Sequence, residues 1–192
     1  MSLGFAPSGV GFYGKIPTRG DFVGAGLPRD LVDQWDGWCR LALHESRQAL
    51  GEPWLAAWME APIWRFRLAP GCCGAAGVLG VMLPSVDRAG RHFPFMLAAF
   101  SASGADLCEG ADWLARGEQI GLAAVLDDLA PDEIASRLAQ IDAKRAAFAW
   151  DDAPALWWTD GAPRRAAGKL RFTQMPPPAL FASMLSHSET IL

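Results

Sequence analysis

Ser85, Asp87 and His92 lie within one short string, Leu83-Pro84-Ser85-Val86-Asp87-Arg88-Ala89-Gly90-Arg91-His92-Phe93-Pro94-Phe95. These are the residue types of a hydrolytic triad, in which an imidazole oriented by a carboxylate takes the proton of a serine hydroxyl. A triad here would make the chain a hydrolase. Against that, no Gly-x-Ser-x-Gly elbow is present, and Ser85 follows a proline in an ordinary turn context. The plainer reading is that Asp87 caps the turn and pairs with Arg88 or Arg91, tying the loop to its flanking strands. A second polar loop, carrying Lys15, Arg19, Asp21 and Arg29, lies near the N-terminus. If the two loops converge on one concave patch, Arg19, Arg88 and Arg91 could read an anion such as a phospho-peptide or another small ligand.

Metal and cofactor chemistry find less support. His44, His92 and His187 are far apart, Cys72 and Cys73 are adjacent with no second pair, and no ligand spacing for zinc emerges. Gly71, Gly74, Gly77 and Gly80 recur every third residue but lack the Lys-Ser/Thr ending of a phosphate loop, and no Gly-x-Gly-x-x-Gly is present. These glycines read as a hairpin turn with close strand packing. No catalytic residue, metal or cofactor is therefore expected. Arg19-Gly20-Asp21 reads as a chance match to an adhesion tripeptide.

The elements that must hold these loops can be traced along the chain. Val10 to Ile16 reads as a first strand closed by Pro17. Leu31, Trp35, Trp38 and Ala42 recur at helical steps between Pro28 and Gly51, and Trp54 and Trp58 share a face of a short helix over 53–60. From Ile63, Trp64, Phe66 and Leu68 alternate with Arg65 and Arg67, a strand with its basic pair opposite its apolar set. Val78 to Leu83 and Phe93 to Phe100 are apolar runs typical of strands covered on both faces, and the short connections favour an antiparallel meander. Helices are expected over 112–129 and 132–148, strands over 155–159 and 170–174, and a last short helix after Pro176-Pro177-Pro178. The fold class expected is α+β, a largely antiparallel or mixed sheet with helices on its faces. It forms one domain, with a motif-bearing half (10–100) and a helix-rich half (104–192).

Composition sets the outer bounds. The 192 residues are 51% apolar and 20% charged, with a formal net charge of −4, enough to build a core and too acidic overall to attract a phosphate backbone. Nucleic acid is not an expected partner. The uncharged run Leu68 to Val86 is broken by glycines and prolines and reads as a soluble hairpin, so no direct membrane insertion is expected. Met1 to Phe5 carries no basic region of a secretory signal, Ser2 excludes the myristoylation pattern, and Met1 to Leu3 could be a cloning scar. The four cysteines form no disulfide framework, in keeping with a cytoplasmic protein. Between Gly104 and Asp152, eleven acids face four bases, making this stretch either a solvated acidic face or an interaction face. Five of the nine tryptophans (Trp35, Trp38, Trp54, Trp58 and Trp64) read as core. Trp113 and Trp150 sit beside acidic residues, and one of the adjacent Trp157 and Trp158 is expected to be exposed or to cover a helix; those that are exposed are candidates for a binding hot spot.

Four blocks lie in order across the first half: Gly11-Phe12-Tyr13-Gly14-Lys15-Ile16-Pro17-Thr18-Arg19-Gly20-Asp21-Phe22; Leu27-Pro28 with Trp35-Asp36-x-Trp38; Ala61-Pro62-Ile63-Trp64-Arg65-Phe66; and Gly80 to Pro94. In combination they resemble the TagF (ImpM) family of type VI secretion-associated proteins; the half beyond about Ser101 is only loosely characteristic. The resemblance implies a cytoplasmic accessory protein that restrains the secretion machine after translation and associates with its forkhead-associated-domain scaffold protein. Some relatives are fused to a PP2C-type phosphatase domain, of which no motif is visible here, and the family is not known as enzymatic. The fold it implies is a sheet with helices on its faces, similar to longin-like domains. On this reading the two motif loops form a rigid polar rim, with Lys15, Arg19, Asp21, Ser85, Asp87, Arg88 and Arg91 as the partner-binding residues. The alternative is that the same charges pair with one another and hold the fold. Homo-oligomerisation stays open.

Overall fold

A computed structural model describes residues 8–102, 111–141 and 153–186. The elements are β1 (Ser8–Gly14), β2 (Val23–Ala25), α1 (Arg29–Leu50), α2 (Trp54–Met59), β3 (Trp64–Leu68), β4 (Gly77–Leu83) and β5 (Phe95–Ser101). They are followed by α3 (Ala111–Leu126), α4 (Pro131–Ala139), β6 (Ala155–Thr159), β7 (Gly168–Phe172), a 3₁₀ turn (Pro178–Leu180) and α5 (Phe181–Leu185). The strands form one sheet in the order β2-β1-β5-β4-β3-β6-β7, every neighbouring pair antiparallel. The α+β class and the β3-β4-β5 meander expected from the sequence are both present.

Each face of the sheet has its own core. Alternation along β4 sends Val78 and Met82 to one side and Leu79, Val81 and Leu83 to the other, and all seven residues of the strand are buried. On the first side α1 contributes the stripe Leu31, Trp35, Trp38, Cys39 and Ala42, completed by α2 and α5. Trp35, Phe66 and Trp157 pack as a triangle, with Trp35 4.9 Å from Phe66 and 6.0 Å from the nearly parallel Trp157, and Trp38 meets Phe181 edge-on at 5.6 Å. Indole N–H groups also fasten distant segments: Trp38 donates to the Pro176 carbonyl at 2.7 Å and Trp64 to the Met184 carbonyl at 3.1 Å. These two bonds hold the C-terminal turn and α5 against α1 and β3. Truncating an aromatic this deep to alanine costs about 3–5 kcal/mol. The second side is covered by α3 and α4, whose Leu114, Ile120, Ile134 and Leu138 pack on Phe12, Val81, Leu97 and their neighbours.

Several expectations are corrected. β1 ends at Gly14 rather than Ile16, and the loop after it contains the three-residue strand β2. α4 stops at Ala139; the remainder of the helix expected to Phe148 falls largely on residues 142–152, outside the described residues. Trp113 (2% exposed) and Trp157 (fully buried) are core side chains, because both faces of the sheet are covered. Trp158 is half-buried against the second core, and Trp150 lies outside the described residues. None of the described helices is long and apolar enough to cross a membrane.

Candidate functional site

The two motif loops meet at one end of the sheet. β1 and β5 are paired neighbours, so the segment leaving β1 and the loop entering β5 emerge side by side. The approach depends on Gly14, whose φ of +141° disfavours an L side chain and whose added Cβ would come 2.2 Å from the Pro94 carbonyl oxygen. Within the second loop, Asp87 Oδ1 accepts the amides of Ala89 and Arg91 at 2.9 Å each. The Asp87 amide donates to the Arg91 carbonyl at 3.0 Å, closing a tight turn over Gly90, φ +80°.

A buried ion pair joins the loops. Lys15 Nζ lies 2.6 Å from Asp87 Oδ2, and Arg91 Nε reaches the same oxygen at 2.7 Å. Burial alone would favour the neutral acid at Asp87. The Lys15 ammonium, the Arg91 amide and guanidinium and the Ala89 amide outweigh it and hold the carboxyl well below the usual carboxylate range. Three further bonds complete the junction: Ser85 Oγ donates to the Lys15 carbonyl at 2.7 Å, the Arg88 amide to the Arg19 carbonyl at 2.9 Å, and the Arg91 guanidinium to the Gly20 carbonyl. Beneath them, Phe22 stacks on Tyr13 at 5.4 Å and meets Phe93 edge-on at 4.8 Å, while Lys15 Nζ stands 4.9 Å over the Phe22 ring. Tyr13 in turn donates to Asp36 of α1 at 2.8 Å.

This geometry divides the candidate residues into two groups. Lys15, Ser85 and Asp87 are 5%, 3% and 2% exposed and form the internal brace. Arg19, Asp21, Arg88 and Arg91 are exposed and form the rim. Arg91 is shared between the two roles. Arg19, Asp21 and Arg88 form no ion pair among the described residues: Asp21 accepts only the Phe22 amide, and Arg19 only reaches the adjacent Thr18 carbonyl, at 3.4 Å. The aromatic platform of Tyr13, Phe22 and Phe93 was not singled out from the sequence, although its rings sit inside the quoted motif blocks.

Ser85, Asp87 and His92 do not assemble as a triad. No hydrogen bond joins any two of these side chains among the described residues; Ser85 and Asp87 are engaged as above. The His92 ring lies edge-on to Trp54 at 5.3 Å and Trp58 at 6.1 Å. Burial, and then the nearby Arg47 guanidinium, push its pKa below the ordinary value. The expected capping role of Asp87 is present, paired with Arg91 rather than Arg88. No group of three or more His, Cys, Asp or Glu side chains that could hold a metal ion is found among the described residues.

The fold and site thus define a two-faced α+β domain carrying a loop rim braced from within. Residues 11–141 match the family profile described as TagF N-terminal domain, Type VI secretion system-associated, and the chain belongs to that family. The crystal structure of PA0076 from Pseudomonas aeruginosa PAO1 is similar over 95% of this chain and 96% of that one, with a TM-score of 0.82 and 30% identity. No curated protein matches. The chain is accordingly associated with type VI secretion.

Proposed function

We propose that the chain is a non-catalytic, cytoplasmic regulator that restrains a type VI secretion system after translation by binding the system's forkhead-associated-domain scaffold protein through the motif-loop rim. The observation that carries this reading is the division of labour at the loops. Lys15, Ser85 and Asp87 spend their polar atoms on the junction, whereas Arg19, Asp21 and Arg88 stand exposed at its edge with no ion pair among the described residues. Charged groups held on a rigid support can form directional charge-assisted hydrogen bonds with little further ordering cost. A repressor of this kind acts by occupying its target, so affinity and concentration set its output.

The test is capture of the purified scaffold protein by the purified chain, beside an Arg19→Ala/Arg88→Ala variant. The expected result is capture by the parent, weakened at least tenfold in a variant whose thermal midpoint is unchanged. Equal capture by both would remove the rim from the interface. A phospho-peptide is the second reading of the same rim, favoured by the hydrogen bond that sets Arg88 beside Arg19. It predicts that a phosphothreonine peptide binds the parent and that its unphosphorylated counterpart does not.

A further inference from the structure

Six large apolar side chains stand exposed among the described residues, and three of them border one groove. Met59 at the end of α2 is 69% exposed, and Leu122 and Leu126, one turn apart on α3, are 39% and 71% exposed. The groove has a volume of about 250 Å³ and is also lined by Ile63, Val125 and the Pro84–Val86 stem of the second motif loop. Isolated exposed leucines need no explanation, but apolar side chains gathered along a trough mark a contact surface.

The trough has a charged end. α3 runs parallel to β4, because an added Cβ at Gly117 would meet Val81 and one at Gly121 would meet Leu83. Four residues of helix and two of strand advance by nearly the same length, about 6 Å. The C-terminus of α3 is thereby carried to the stem of the motif loop, where Asp127 and Asp128 directly follow Leu126. α3 has no basic residue in its last turn. Its terminal carbonyls already carry partial negative charge, so two carboxylates there oppose the helix dipole. Asp128 also holds a φ of +59°, the only positive value at a non-glycine residue described. Both acids are exposed and neither enters an ion pair among the described residues. An arrangement that concentrates negative charge beside apolar side chains fits a ligand of opposite pattern.

We propose that this groove docks a basic amphipathic helix of a partner protein. Met59, Leu122 and Leu126 receive its apolar stripe, and Asp127 and Asp128 receive Lys or Arg side chains beside that stripe. The proposal stands apart from the rim reading, since it uses the stem of the motif loop and the end of α3 rather than Arg19, Asp21 and Arg88.

The probe is a fluorescein-labelled 18-residue peptide of Leu and Lys at helical spacing, measured by anisotropy with the full chain. Two controls accompany it, one with Glu for every Lys and one with Leu and Lys strictly alternating. The expected result is preference for the basic helical peptide, at least tenfold weaker binding in Leu122→Ser/Leu126→Ser, and a reversed preference, towards the acidic peptide, in Asp127→Lys/Asp128→Lys. In the unaltered chain, the ¹³C-methyl resonance of Met59, assigned through Met59→Leu, shifts on addition of the basic helical peptide. The proposal is overturned if no peptide binds, if parent and both variants bind the basic peptide equally, or if the Met59 methyl does not move. It is equally overturned if the free chain is a dimer that Leu122→Ser/Leu126→Ser disperses, which would make a second copy the occupant.

Discussion

Lys15 and Asp87, 72 residues apart in sequence, form a buried ion pair at 2.6 Å between the segment leaving β1 and the loop entering β5. It is not a closed pair, since Asp87 also accepts the Arg91 guanidinium and two backbone amides whereas Lys15 Nζ has Asp87 as its one ion-pair partner among the described residues. The carboxylate is the hub of the junction and the ammonium one of its spokes.

This asymmetry predicts unequal losses on truncation. Asp87→Ala leaves the Lys15 ammonium buried without its counter-charge and removes the cap of the turn, a change expected to cost about 3–5 kcal/mol. Lys15→Met leaves Asp87 with Arg91 and both amides, and about 1–3 kcal/mol is expected. Urea unfolding midpoints of the two variants, compared at unchanged m-value, check the order; equal losses would mean that the turn does not depend on the carboxylate.

Acid should act through the same group. Its folded pKa lies well below the ordinary carboxylate value of about 3.9, so the stability it contributes is complete above that value and is lost as pH falls through the folded pKa. Stability is therefore expected to decline from about pH 5 downward, and Asp87→Asn, though less stable throughout, should show a shallower decline. Parallel curves for parent and variant would assign the acid sensitivity to other carboxylates.

His92 should add a separate loss of stability nearer neutrality. Its pKa is depressed in the fold by burial and by Arg47, so between that value and the unfolded value of about 6.5 the unfolded chain binds more protons. Stability contributed by the neutral ring is present above about pH 6.5 and falls as pH drops through the unfolded value. His92→Phe, which keeps a ring against Trp54 and Trp58, is expected to flatten thermal midpoints between about pH 7 and 5.5.

Much of this architecture was legible because the pattern is strong where burial is deep. Leu31, Trp35, Trp38 and Ala42 mark the inward stripe of α1, and Trp64, Phe66 and Leu68 mark one face of β3. The opposite face was legible only as an alternation. Arg65 and Arg67 read only as the face opposite the apolar set, yet Arg67 is fully buried and Arg65 bonds to Glu118 of α3 and to Asp160. β2 was hidden because three residues, one of them Gly24 and followed by Gly26, carry almost no periodicity, and its pairing with β1 is a tertiary effect. The loop residues were legible as a set, but not their division into brace and rim. That division depends on which side chains the junction buries, a property of the fold rather than of residue type.

Two glycines that look alike in sequence should respond oppositely to alanine. Gly80 in β4 is enclosed: an added Cβ would lie 2.5 Å from the Phe66 ring and 2.7 Å from the Leu97 carbonyl oxygen, so the strand or the ring must shift. Overpacking of this kind costs about 1–3 kcal/mol. Gly117 in α3 has room, since the nearest atoms to an added Cβ are the Trp113 ring at 3.5 Å and Val81 at 3.8 Å, ordinary contact distances. There alanine relieves the entropy that glycine loses in a helix, about 0.8–1 kcal/mol. Gly80→Ala should therefore lower the thermal midpoint and Gly117→Ala raise it by a few degrees. A loss at both positions would mean that α3 sits closer to β4 than these contacts allow, and that the α3 end of the apolar groove is more tightly packed as well.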